Sequence, residues 1–268
     1  MMRLKGKTAL ISGAGRNNGK AIATTFAREG ADVILIARSR SEELNAVAKE
    51  CESHGVKALP LLGDISKHEE VNRMVNEGLA HFGKVDISVS VAGIRNNKLP
   101  WEYTYEEWHY IFEVNLHSTF YLAKALAPGM IARKSGSFIA LGGHSATTAS
   151  FPYVAAVAAS KHGLHGLIKG LAQAFGPYGV RANLLSLANI QNERLNPEWY
   201  QARNEKGELI STGQVGDPST ADRDRFKLSP LGRQGTRQEV ANVAVFLASD
   251  DSSYVTGDRI IVSGGGYM

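Results

Sequence analysis

Thr8-Ala9-Leu10-Ile11-Ser12-Gly13-Ala14-Gly15-Arg16-Asn17-Asn18-Gly19-Lys20-Ala21-Ile22-Ala23 runs from a short apolar strand into a glycine-rich turn and on into a helical period. Such a turn lets backbone N–H groups and the positive end of the helix approach a pyrophosphate, which a β-carbon would obstruct. Outward from it, short β-branched runs alternate with longer helical segments, the pattern of βαβ units around a buried parallel sheet. Strands are predicted over Thr8–Ser12, Val33–Ala37, Ala58–Leu62, Ile87–Val91, Ser137–Leu141, Ala182–Leu187 and Arg259–Val262. Three helix starts carry S/T-x-x-E capping boxes: Ser66 with Glu69, Thr104 with Glu107, and Thr236 with Glu239. The expectation is one α/β domain over residues 1–268, a doubly wound, Rossmann-type parallel sheet of about seven strands with helices on both faces.

Composition fits that class and excludes others. At 268 residues, 43% hydrophobic and 21% charged, the chain can bury one sizeable core without a partner domain. The formal charge is +4, but its 30 Lys+Arg are scattered, so nucleic acid is not an expected partner. No signal-type or membrane-length apolar run occurs, which predicts no membrane association and a cytoplasmic location. Cys51 stands alone, so neither an internal disulfide nor a metal site is expected; it reads as a small helix residue.

One segment breaks the alternation. Asn189 to Leu228 is polar, Pro-containing and weakly periodic, and follows a strand at the end where open α/β sheets bind ligands. It reads as a substrate-covering lid, against the alternative of a surface insertion.

The second strand decides which dinucleotide is expected. It ends Ile36-Ala37-Arg38-Ser39, with Ala37 and Arg38 where an NAD site usually places an acidic residue for the adenosine ribose. A carboxylate would repel a 2′-phosphate, whereas a guanidinium forks onto it; Arg16 offers a second cation. These residues point to NADP(H).

Taken together, the residues resemble those of the short-chain dehydrogenase/reductase family over almost the whole length. Ser12, Gly13 and Gly19 match its T-G-x-x-x-G-x-G pattern, with Asn17 at the middle glycine; asparagine is the non-glycine residue that best tolerates positive φ. Asp64 resembles the family's adenine-binding aspartate, and Ala92 and Gly93 match the end of its N-N-A-G motif. The resemblance places Asn18, Ser39, Ile65 and Ile190 beside the cofactor too. Val255-Thr256-Gly257 and Ser263-Gly264-Gly265 resemble the closing strand, which implies a homotetramer or homodimer acting on a small molecule.

At the catalytic positions the chain departs from the family, which uses Asn, Ser, Tyr and Lys, with Tyr-x-x-x-Lys on one helix face. Asn115 and Lys161 match; Val157 stands at the tyrosine position and His144 at the serine position. Leu187-Ala188 replaces a usual Pro-Gly, and Asn192 a common threonine. His144 is a candidate proton donor, with an ordinary pKa near ~6.5, or else a hydrogen-bonded loop histidine. Tyr153 is the other candidate. Eight residues before Lys161, it would lie roughly 12 Å away along a helix axis, but it could fold into the site if the helix starts after it. Lys161 can also bond the nicotinamide ribose in the family's manner. His162, His165 and Ser145 read as structural, Ser145 also as a displaced hydroxyl donor. Trp101, Tyr103, Trp199 and Tyr200 read either as an aromatic-tolerant pocket lining or as packing anchors.

Three functions follow: NADP(H)-dependent carbonyl/alcohol oxidoreduction with an altered proton donor, reduction of a conjugated carbon-carbon double bond, and a catalytically silent NADP-binding sensor or scaffold. The Tyr-x6-Lys spacing of enoyl reductases is one residue shorter than Tyr153 to Lys161.

Overall fold

The computed structural model describes residues 2–149, 152–192, 202–203, 209–210 and 229–266. Its elements are β1 (Thr8–Ser12), α1 (Asn17–Arg28), β2 (Asp32–Ala37), α2 (Ser41–Glu52), β3 (Ala58–Leu62), α3 (His68–Phe82), β4 (Ile87–Ser90), α4 (Tyr105–Phe112), α5 (Ser118–Arg133), β5 (Gly136–Leu141), α6 (Ala155–Phe175) and β6 (Val180–Leu187). The short antiparallel pair β7 (Ala202–Arg203) and β8 (Leu209–Ile210), then α7 (Arg237–Ala248) and β9 (Arg259–Val262), complete the order. Each predicted strand is present, with ends moved by a residue or two where flanking backbone joins or leaves a ladder.

Seven strands form one parallel sheet in the order β3-β2-β1-β4-β5-β6-β9. Alternate side chains feed two cores because the strand period is 2. Ile11, Val33, Leu35, Ile139 and Leu185 meet Phe26 of α1, Val47 of α2 and Val245 of α7 on one face. Leu10, Ile34, Ile36, Phe138 and Leu184 meet Met74 of α3, Leu126 of α5 and Ile168 of α6 on the other. Burying a side chain such as Phe26 contributes ~1.5–3 kcal/mol, so the sheet is held from both sides.

Two of the three expected capping boxes form: Thr104 and Thr236 accept from the N–H of Glu107 and Glu239, which reach back to the cap residues. The third does not. Helix α3 starts at His68 behind Lys67, while Ser66 donates to Asp64 Oδ1 at 2.7 Å. The aspartate two residues upstream competes for the hydroxyl and draws the chain into a turn before the helix begins. The expected lid at 189–228 lies largely outside the described residues, as do Trp199 and Tyr200. No described helix is long and apolar enough to cross a membrane.

Candidate active site

Strand order reverses between β1 and β4, and a crevice opens there beyond their carboxyl ends. Its walls approach closely. Gly13, at φ +68°, lies against the next wall so tightly that a β-carbon on it would sit 3.0 Å from Ala92 N. On Gly19 a β-carbon would fall 2.0 Å from the Gly13 carbonyl oxygen, so the first turn of α1 packs onto the loop only with glycine there. Asn17 takes the left-handed conformation, φ 49°, that its residue type tolerates. The Ser12 hydroxyl accepts from Val91 N at 3.2 Å, and Ala14 N donates to Ile36 O at 3.0 Å, tying the turn to both neighbouring strands.

A dinucleotide diphosphate fits this turn. Glycines leave its backbone uncovered, and Arg16 at the N-cap makes no side-chain bond to the first N–H groups of α1, which leaves them for an anion. Arg16 and Arg38 are both exposed, and among the described residues neither pairs with a carboxylate, whereas neighbouring Arg40 pairs with Glu43 at 2.6 Å. Arg38 instead donates to the Tyr110 hydroxyl. Ser39 is exposed beside it, while Asp64 is held in the turn after β3 by bonds from Ser66 and Ile65 is buried. Ile190 is buried after β6, where its bridge to Gly235 fixes the chain leaving the sheet.

At the other end, Asn115 sits in a π-helical turn, Glu113–His117, between α4 and α5. Such turns break the regular helix and often mark functional sites. The buried Asn115 amide accepts from Ile94 N at 2.8 Å and donates to Ile94 O at 3.0 Å and Ser160 Oγ at 3.1 Å. Lys161 reaches from α6 to donate to Leu141 O at 2.7 Å. A β-carbon on Gly93 would be 3.3 Å from Asn115 Oδ1 and 3.6 Å from Lys161 Nζ, so these three residues share one wall. Burial, then the nearby charge of Arg95, pushes the Lys161 ammonium down to about 8. One turn earlier, Val157 is buried hydrocarbon.

The proton-donor candidates lie differently. Tyr153 belongs to the 3-10 turn Pro152–Val154, ahead of α6, so the condition for it to leave the helix face is met; its carbonyl accepts from Lys98 N at 3.2 Å. His144 opens another 3-10 turn, and its ring Nε2 lies 2.6 Å from Thr148 Oγ1. With Ser186, Leu187, Arg259 and Ile261 it lines a void of about 10 Å³, the room of one water. His162 bonds Ala158 O within its own helix, and Asn192 bonds Ile190 O. Tyr103 donates to Asn96 O as a packing anchor, while Trp101 is 77% exposed. Cys51 is buried on α2, its thiol pushed up to about 12 by burial, which makes it inert.

Two features were not singled out in the sequence. Lys98 binds both carboxylate oxygens of Glu107, at 2.7 and 2.8 Å, and Asn96 donates to the same group, pinning the loop after Gly93 to α4; that bond to Lys98 holds the Glu107 carboxyl below its usual range. A cavity of about 250 Å³ opens at the opposite, amino ends of β4 to β6, between Lys7, Asp86, Arg181 and Asp250. It lies away from the crevice, and its arginine is bonded to the Val255 and Ser249 carbonyls.

Residues 7–202 match the family model described as short chain dehydrogenase, and residues 207–267 the model described as enoyl-(acyl carrier protein) reductase. The chain is 33% identical to the Escherichia coli 3-oxoacyl-[acyl-carrier-protein] reductase FabG over 267 residues, 100% of each chain. It is 30% identical to a hydroxynaphthalene reductase-like protein, Arp2, of Metarhizium majus, covering 98% of this chain and 95% of that one. Among solved structures, a short-chain type dehydrogenase/reductase from Mycobacterium marinum aligns at TM-score 0.85 and 30% identity, covering 99% and 97% of the two chains. A Beutenbergia cavernae chain, proposed as an NAD(P)-dependent gluconate 5-dehydrogenase and holding NADP at low occupancy, aligns at TM-score 0.84 and 30% identity, covering 99% and 98%.

Proposed function

The chain belongs to the short-chain dehydrogenase family, and we propose that within it the protein is an NADP(H)-dependent oxidoreductase of a carbonyl or alcohol substrate, with an altered proton donor. The carrying observation is the pair of exposed guanidiniums, Arg16 and Arg38, neither matched to a carboxylate among the described residues at the adenosine end. Guanidiniums without a paired carboxylate suit a phosphate monoester. The NADP held by the Beutenbergia cavernae relative supports the same choice.

When bound, the cofactor supplies or accepts the hydride. The chain supplies the rest. Gly13, Asn17, Asn18 and Gly19 present the turn to the diphosphate, with Asp64 and Ile65 toward the adenine, Ser39 beside Arg38, and Ala92, Gly93 and Ile190 along the crevice toward the nicotinamide. Lys161 and Asn115 hold the wall next to the reacting carbon. With valine one turn before Lys161, no phenol is delivered by that helix. His144 is the group assigned to protonate the substrate oxygen, and Thr148 orients its ring. Tyr153 is the alternative donor, since its turn precedes the helix. A lid over 189–228 closing on a small molecule, a homotetramer or homodimer, and a cytoplasmic location belong to the same proposal.

Incubation with NADPH and a panel of ketones, quinones and conjugated enones, followed by the absorbance of the reduced nicotinamide, tests it. Consumption with ketones or quinones is expected. Consumption with enones alone selects reduction of a carbon-carbon double bond, a second reading supported by the enoyl reductase match over residues 207–267. Tight NADPH binding with no turnover on any compound leaves a silent NADP-binding sensor or scaffold. His144→Ala should lower turnover by about a hundredfold without loosening NADPH; unchanged turnover removes the histidine from the mechanism. Arg38→Asp should move preference from NADP toward NAD, and an unchanged ratio would mean that the phosphate is not held there.

A further inference from the structure

Arg38 differs in its partner from four other exposed arginines. Arg3 pairs with Glu29, Arg40 with Glu43, Arg73 with Glu77 and Arg233 with Glu239, each beside a carboxylate that neutralises it locally. Arg38 Nη1 donates to the Tyr110 hydroxyl, a neutral acceptor 72 residues along the chain. That bond joins the residue just after β2 to α4. Helix α4 is a firm support: the Thr104–Glu107 box caps it, Ile111 is buried, and Trp108 packs on Phe112 at 5.1 Å and against Tyr103 at 6.2 Å.

We propose that Tyr110 is a specificity-determining positioning residue, whose hydroxyl holds the Arg38 guanidinium at the adenosine end so that a ribose carrying a phosphate monoester is preferred over one with free hydroxyls. The inference rests on the NADP reading of this site and deepens it. An exposed arginine samples many rotamers, and a ligand that must order it loses affinity in doing so. Tying the side chain beforehand removes that loss. The bond uses one of five N–H donors, leaving the others to fork onto phosphate oxygens. Because the acceptor is neutral, the positive charge stays available, as it would not beside a glutamate.

Fluorescence titration of the full chain with NADPH and with NADH tests this. Tyr110→Phe keeps the ring and removes the acceptor: the Kd for NADPH should rise roughly fivefold while that for NADH stays within about twofold. In an Arg38→Ala background the same change should have no further effect, since the two act as one unit. Tyr110→Glu should weaken NADPH more than Tyr110→Phe does, and Tyr110→Gln, which retains an acceptor, should recover part of the preference. Equal weakening of both nucleotides by Tyr110→Phe would reduce the tyrosine to a packing role and overturn the inference, as would no change in either. The underlying reading fails separately: if Arg38→Ala leaves the NADPH-to-NADH ratio untouched, the phosphate is not at Arg38. A strong Arg38→Ala effect with a silent Tyr110→Phe sinks the tyrosine alone.

Discussion

At the end of the crevice proposed for the adenosine the protein presents backbone geometry and charge: Gly13 and Gly19 in close packing, Arg16 and Arg38 without carboxylate partners among the described residues. At the end proposed for the nicotinamide it presents side chains whose behaviour depends on their neighbours: Lys161 on the Leu141 carbonyl, Asn115 on Ile94, His144 on Thr148, and the buried Val157. The first end depends on where atoms cannot be, the second on proton affinity and side-chain direction. Excluded volume tolerates few residue types, so the first end should fail abruptly when altered and the second by degrees.

The largest effect is therefore expected in the glycine turn. Gly19→Ala places a β-carbon 2.0 Å from the Gly13 oxygen, which backbone cannot yield without moving the turn. NADPH affinity should fall by about a hundredfold or more, with a lower melting temperature, because such overpacking costs at least ~1–3 kcal/mol. Gly15→Ala is the packing control: its nearest protein neighbour would be Ala37 Cβ at 3.9 Å, an ordinary contact, so its melting temperature should match the parent's. Thermal melts of both variants, with titration calorimetry of NADPH on Gly19→Ala, check the pair. An unchanged melting temperature for Gly19→Ala as well would break the contrast between the two ends, since the turn would then accommodate a side chain anywhere.

Lys161→Met probes the other end. Turnover should fall by about a hundredfold or more, while NADPH affinity, distributed over the whole crevice, should fall by less than about tenfold. The variant also carries a stability signature. The folded lysine loses its proton near about 8, whereas an unhindered lysine holds it to its ordinary 10.5. Between those values the unfolded chain binds more protons, so stability rises with pH across that window and the burial penalty is present in full below it. Lys161→Met should be more resistant to urea than the parent at neutral pH, and its urea midpoint should lack the parent's rise. Identical pH curves for parent and variant would show that Lys161 is as well solvated as a surface lysine.

The same division explains what could be read from residues alone. The strands of the main sheet and the Thr104 and Thr236 caps follow from periodicity and from hydroxyl–carboxylate spacing, which act over a few residues. Ser66 misled because Asp64, equally local, outcompetes the helix for its hydroxyl. Asn115 and Lys161 could be named by the family resemblance, but the Ile94 and Leu141 groups that hold them come from segments about 20 residues away in the chain. The Arg38–Tyr110 bond and the Lys98–Glu107 clamp have no spacing signal at all, because only the tertiary fold brings those side chains together.

The smallest expected effect tests whether geometry alone accounts for the adenosine end. Asn17 occupies a left-handed conformation, φ 49°, where a β-carbon costs ~1–2 kcal/mol and asparagine is penalised least. Its Oδ1 accepts from Arg237 at 3.5 Å. If conformation is what places asparagine there, Asn17→Gly should leave stability within about 0.5 kcal/mol and NADPH affinity within about twofold, while Asn17→Ala should lose about 1 kcal/mol. Denaturation of the apoprotein and titration with NADPH read the two quantities separately. Should glycine match asparagine in stability yet bind NADPH tenfold more weakly, the amide itself would be a ligand contact, and the adenosine end would depend on side-chain chemistry as the nicotinamide end does.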